Sequence, residues 1–190
     1  MSLYKYILFQ IFKTVCLVLI ITSYLQASNV KNSATVFMYH KFGVSKYPST
    51  SVTISQLESH IKEFILNKYN ILSIDLIIDT IINDGELPIN SIGISIDDAD
   101  KSFYEVAWPI FKKNNIPVTL FVTTGTIGNN KNYLNWDQIR KLEEEGVVIG
   151  AHSHTHGHMS DLDLELVKKE IEISNKIFLK ELGKIPSLFA

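Results

Sequence analysis

Apolar positions along the chain follow two alternating rhythms. Short unbroken apolar runs bounded by glycine, proline or polar residues occur at 34–39, 71–73, 91–96, 118–123 and 146–150, and each predicts a buried strand. Between them the apolar residues keep helical spacing. Ile54, Leu57, Ile61, Phe64 and Ile65 predict a helix over about 55–70, with two candidate capping boxes at its start, Thr53 with Gln56 and Ser55 with Glu58. A short helix is expected over 75–83, closed by Asp84-Gly85 and Pro88. Phe103, Val106, Ala107, Ile110 and Phe111 mark an amphipathic helix, and 135–145 another with Asn135 as its cap. A long helix over about 163–182 should turn Leu164, Val167, Ile171, Ile177 and Phe178 inward, with Gly183 and Pro186 ending it. Segments 44–51 and 124–133 read as loops, and Ser187-Leu188-Phe189-Ala190 as the start of a further strand. Strands alternating with helices imply a mostly parallel sheet with right-handed crossovers. An open doubly wound sheet is the alternative to a β/α barrel.

Composition narrows the class. The chain has 190 residues, 46% hydrophobic and 20% charged, with a formal charge of −2, enough for one domain with a real core. Without a basic block, nucleic acid is excluded as the main partner. Cys16 is the sole cysteine, so neither an internal disulfide nor a cysteine metal site is available. Residues 1–27 differ from the rest: Lys5 and Lys13 precede the apolar run 14–22, and Ala27 is a small residue at its exit. That pattern reads as a secretory signal peptide, although Leu25 stands where a small residue is usual. The alternative is an uncleaved anchor, because the apolar region reaches back through Tyr6 to Phe12. Either way residues 28–190 are expected outside the cytoplasm, whether periplasmic, extracellular or membrane-anchored. Any membrane attachment would run through the uncleaved leader.

Two strand ends carry the chemistry. Four of the six histidines, His152, His154, His156 and His158, fall within seven residues just after the 146–150 run. The 91–96 run ends in Asp97-Asp98-Ala99-Asp100. Parallel α/β folds place their chemistry at the C-terminal ends of strands. Imidazoles from one end and carboxylates from the other can converge on one divalent cation. Two histidines and one carboxylate would leave coordination positions open, as a catalytic ion requires. Such an ion brings the pKa of water to about 7, and a second, non-ligating carboxylate can take the proton. The spacing also offers other pairings, His152 with His154 and His158, or His154 with His156. Taken alone, the Asp pair also fits a solvated helix start.

The chain resembles the polysaccharide deacetylase family, the NodB-homology group of carbohydrate esterases. Ser95-Ile96-Asp97-Asp98-Ala99 is similar to that family's Thr-Phe-Asp-Asp-Gly motif, and His152-Ser153-His154-Thr155-His156 to its His-Ser/Thr-x-x-His motif. The likeness runs from Ala34 to the end of the sequence. It implies an α/β fold, an incomplete distorted β/α barrel of the TIM-like, NodB type with mostly parallel strands. It implies Asp97 as catalytic base, Asp98, His152 and His156 as ligands of a divalent ion, Zn2+ first among them, and hydrolysis of acetamide groups in an N-acetylated polysaccharide or oligosaccharide. Two departures stand out. Ala99 replaces the motif's glycine, and the family's later motifs, including the general-acid histidine, would fall beyond Ala190. The resemblance therefore implies a partial, C-terminally truncated domain with impaired turnover, or else a non-catalytic metal- or glycan-binding remnant or one part of a split enzyme.

Overall fold

The computed structural model describes residues 12–14 and 32–190. The chain divides into two units, Met1–Ser33 and Ala34–Ala190. The expected leader over 1–27, with Cys16, lies outside the described residues apart from 12–14. Among the described residues no helix is long and apolar enough to cross a membrane.

Ala34–Tyr39 (β1) is the end strand of a parallel sheet. A two-stranded parallel pair follows, Lys41–Phe42 (β2) with Ser51–Val52 (β3). This pair lies partly within the segment expected to be loop, and two-residue strands leave no periodicity to read. Ile54–Leu66 (α1) begins at the Thr53–Gln56 capping box, in which the Thr53 side chain accepts from Gln56 N and the Gln56 side chain from Thr53 N. Ser55, the other candidate, is already helical. The helix stops short of the expected Asn70, because Lys68 turns left-handed at φ 53°. Asn70–Ile71 (β4) and Ile74–Ile82 (α2) lead to Ser91–Ile96 (β5), buried at all six positions.

Next comes a π-helical turn, Phe103–Ala107, followed by the helix Trp108–Lys113 (α3). An uninterrupted amphipathic helix was expected here. Pro109 has no N–H to give the Glu105 carbonyl, and Trp108 N instead bonds the Phe103 carbonyl, five residues back. Thr119–Val122 (β6), Trp136–Glu144 (α4, capped by Asn135) and Val148–Ala151 (β7) complete the central layers. A 3-10 turn, Met159–Asp161, leads into Leu164–Leu182 (α5), capped by Asp163 and closed by left-handed Gly183.

The sheet runs β1-β5-β6-β7, all parallel, with β4 laddered to the start of β5 and β6 to its end. β5 and β6 are covered on both faces, buried at every position. β1 differs: Val36 and Met38 stand 46% and 61% exposed. Beyond β7 the expected last strand is a single parallel bridge, Phe189 to Ala151. The sheet is thus open and parallel, with no closure into a barrel among the described residues.

The inner face of α5 differs from the apolar expectation. Leu164 is 67% exposed and Ile171 36%. The buried residues are Ser174 and Phe178, the latter edge-on to Trp136 with ring centroids 5.7 Å apart. The inward stripe is partly polar, so a rule that follows apolar residues misplaces it.

Candidate metal centre

Both strand ends run one residue past their ladders before turning. Asp97 N donates to Tyr39 O (2.8 Å), and His152 N to Val122 O (3.0 Å). After Asp97 the backbone becomes left-handed at Asp98 (φ 72°) and Ala99 (φ 59°), and after His152 at Ser153 (φ 60°) and His156 (φ 62°). Non-glycine residues adopt this conformation at a cost of about 1–2 kcal/mol each, so both turns are held by their surroundings.

These turns bring Asp98, His152 and His156 together, with one ligand atom of each within 4.8 Å of the others. Asp98 Oδ1 lies 3.1 Å from His156 Nε2 and 3.7 Å from His152 Nε2, and the two imidazole nitrogens are 3.2 Å apart. Asp98 Oδ1 is buried and accepts no hydrogen bond. His152 Nδ1 sits 2.6 Å from the Ala190 carbonyl, which can only accept. The ring proton therefore belongs on Nδ1, and the Nε2 lone pair faces the cluster. A donor-free carboxylate oxygen and an imidazole lone pair converging with a second imidazole fit a divalent cation in chemistry and spacing.

Asp97 is adjacent and 5% exposed, and its Oδ1 also lacks a hydrogen-bond partner. Burial pushes its carboxyl above the ordinary range. His152 and His40 pull it back, the neighbouring Asp98 adds to the rise, and the Ser95 hydroxyl opposes it. A carboxylate so raised is a better proton acceptor than a free one. The helix-start role falls instead to Asp100, whose Oδ1 accepts from Ser102 N (2.9 Å) and Ser102 Oγ (2.6 Å).

The remaining histidines divide. His154 Nδ1 pairs with Thr124 Oγ1 (3.0 Å), away from the cluster, and His158 stands exposed before the 3-10 turn. His60 is exposed and pairs with the Tyr39 hydroxyl (3.0 Å), whose pKa burial raises to about 12. Beside Asp100 a cleft of about 690 Å³ is lined by Lys41, Tyr47, Lys101 and Tyr133 among others. Two groups escaped the sequence reading: the Ala190 carbonyl, which any residue type would supply, and Glu170, which looks like any helix-surface acid yet accepts hydrogen bonds from His154 N and Thr155 N.

Comparison with known proteins bears on the family and the fold. The poly-beta-1,6-N-acetyl-D-glucosamine N-deacetylase of Staphylococcus aureus (strain MRSA252) is 33% identical over 152 residues, covering 78% of this chain and 51% of that protein. The Staphylococcus epidermidis protein of the same name is 30% identical over 157 residues, covering 73% and 52%. The chain thus spans about half the length of the curated relatives it matches. Among solved structures, the Streptococcus pyogenes deacetylase PplD superposes with a TM-score of 0.74 at 20% identity, covering 84% of this chain and 73% of that one. IcaB from Ammonifex degensii gives 0.72 at 19%, covering 82% and 72%. At such identities the structures speak for the fold. The family model described as polysaccharide deacetylase matches residues 84–190, a span holding both strand-end motifs and every residue of the cluster. On that match and these relatives, the chain belongs to the polysaccharide deacetylase family.

Proposed function

We propose that this chain carries the metal-binding part of an exported N-deacetylase that hydrolyses acetamide groups of a β-1,6-linked N-acetylglucosamine polymer. The observation carrying the proposal is the convergence of Asp98 Oδ1, His152 Nε2 and His156 Nε2 at the ends of β5 and β7. The curated relatives' names supply the polymer. Export rests on the leader pattern of residues 1–27.

Asp98, His152 and His156 would hold the ion, Zn2+ by the preference of imidazole and carboxylate sets. A bound divalent ion supplies hydroxide near neutral pH and polarises a carbonyl. Asp97, with its carboxyl raised by burial, accepts the proton of the attacking water. The Ala190 carbonyl keeps His152 in the tautomer that presents Nε2. The cleft beside Asp100, with Tyr47 and Tyr133 on its wall, offers aromatic and hydrogen-bonding surface along which a sugar chain can lie.

The test is calorimetric titration of the metal-stripped protein with Zn2+, paired with acetate release from an acetylated β-1,6-glucosamine oligosaccharide. Asp98→Ala and His152→Ala should abolish ion binding. Asp97→Asn should keep the ion and lose about 10²- to 10⁴-fold in turnover, the usual share of a general base. Undiminished Zn2+ affinity in the Asp98→Ala protein would refute the site. The alternative is metal or glycan binding without turnover. Zn2+ and oligosaccharide binding with no acetate release would select it.

A further inference from the structure

The 152–156 loop is held from two sides. On one side, Thr123 Oγ1 donates to His152 O (3.0 Å), Thr124 N to Ser153 O (3.2 Å) and Gly125 N to His154 O (2.9 Å). These bonds occupy three consecutive carbonyls, and a Cβ on Gly125 would stand 2.5 Å from His154 O. On the other side one residue of α5 takes up the N–H groups. Glu170 Oε2 accepts from His154 N (3.0 Å) and Thr155 N (2.7 Å), and Glu170 Oε1 accepts from Thr155 Oγ1 (3.0 Å). Between these ties lie Ser153 and His156, both left-handed without being glycine. His156 N closes the loop on Ser153 Oγ (3.0 Å). A backbone in that conformation needs outside partners to persist, and a carboxylate accepting three donors is a strong one.

We infer that Glu170 is a positioning residue of the metal centre: by fixing the His154 and Thr155 backbone it sets the reach between the His152 and His156 imidazoles. Glu170 touches neither imidazole, so it acts only through the loop. Its place on the inward stripe of α5, one turn before buried Ser174, explains why a long polar side chain stands where packing alone would favour an apolar one. The helix thereby couples its own position to the geometry of the cluster. The inference rests on the metal reading of Asp98, His152 and His156.

Two variants of the whole chain test it, Glu170→Ala and Glu170→Gln. The amide oxygen of glutamine can still accept from both backbone N–H groups. Co2+ affinity by calorimetry should fall about 10- to 100-fold in the Ala variant, as for other residues that orient metal ligands, and stay within about threefold of wild type in the Gln variant. The Co2+ absorption band should shift in the Ala variant alone. In the metal-free protein the His154 and Thr155 amides should exchange faster in Glu170→Ala and at near wild-type rates in Glu170→Gln. Unchanged Co2+ affinity and spectrum in Glu170→Ala, beside normal binding by wild type, would overturn the inference. Wild type that binds no Co2+ would overturn the metal reading instead, and the two amide exchange rates would then decide whether Glu170 fixes the loop. A Gln variant as impaired as Ala would also count against a hydrogen-bond tie.

Discussion

Ala99 and Gly125 show how single residues set the two halves of the candidate metal centre. At Ala99 a left-handed backbone costs about 1–2 kcal/mol, of which a fully buried methyl offsets about 0.8 kcal/mol. Glycine there would add its own chain-entropy cost of about 0.5–1 kcal/mol. These terms nearly cancel, so the departure from the family's glycine is tolerable. Ala99→Gly should shift unfolding stability in urea by less than about 1 kcal/mol. Gly125 has no such latitude, because its missing Cβ faces a backbone carbonyl rather than a movable side chain. Gly125→Ala should cost about 1–3 kcal/mol through displacement of the histidine loop. A wild-type urea midpoint would show that the approach is looser than the distance implies. At this scale the sequence speaks clearly only where chemistry needs a residue type. Asp98, His152 and His156, which the fold brings together, stood out because carboxylates and imidazoles followed apolar runs. The Ala190 carbonyl carries no identity, and Glu170 shares its appearance with every solvated helix acid.

Elements were legible where one periodicity ruled. β1 and β5 fall where their apolar runs lie, and α4 starts at its Asn135 cap. The reading failed where a second constraint intervened: Pro109 forcing a π turn, Lys68 ending α1 early, and polar residues on the inward stripe of α5. Nothing in the periodicity of the acidic run 143–145 marks Glu145 as a tie between elements. Glu145, the C-cap of α4, accepts from Trp108 Nε1 (2.6 Å) and pairs with Lys112 (3.1 Å) and Lys141 (3.4 Å), tying α3 to α4. The Trp108 hydrogen bond, followed by that from Lys112, holds its carboxyl down from 4.5 to about 2. A depressed carboxyl stabilises the fold above its unfolded pKa and loses that contribution as pH falls through its folded one. Glu145→Gln should therefore be less stable than wild type by about 1–2 kcal/mol at neutral pH. The gap should close between pH 4.5 and about 2, as followed by urea unfolding across that range. A gap independent of pH would assign the loss to packing.

At the scale of the whole molecule, the mostly parallel sheet was legible and its openness only partly so. A further strand was expected to start at 187–190, and the structure sets Phe189 beside Ala151 of β7. That β1 would expose apolar side chains could not be read, because a run such as Ala-Thr-Val-Phe-Met-Tyr looks the same in a covered strand and at an edge. Exposed, unpaired apolar edges invite association. Val36, Phe37 and Met38 should therefore make the protein self-associate as concentration rises. Met38→Lys should suppress this in light scattering while leaving the urea midpoint unchanged; equal scattering from both proteins would clear β1 of that role.

The position of β6 has a mechanical consequence. Asp98 and the two histidines leave the tips of β5 and β7, and β6 lies between those strands. An ion gripped by both outer tips would act as a staple across the middle strand, resisting any opening that parts the sheet along either seam. Chelation should then loosen β6 before its neighbours, visible as faster deuterium uptake at Leu120 and Val122.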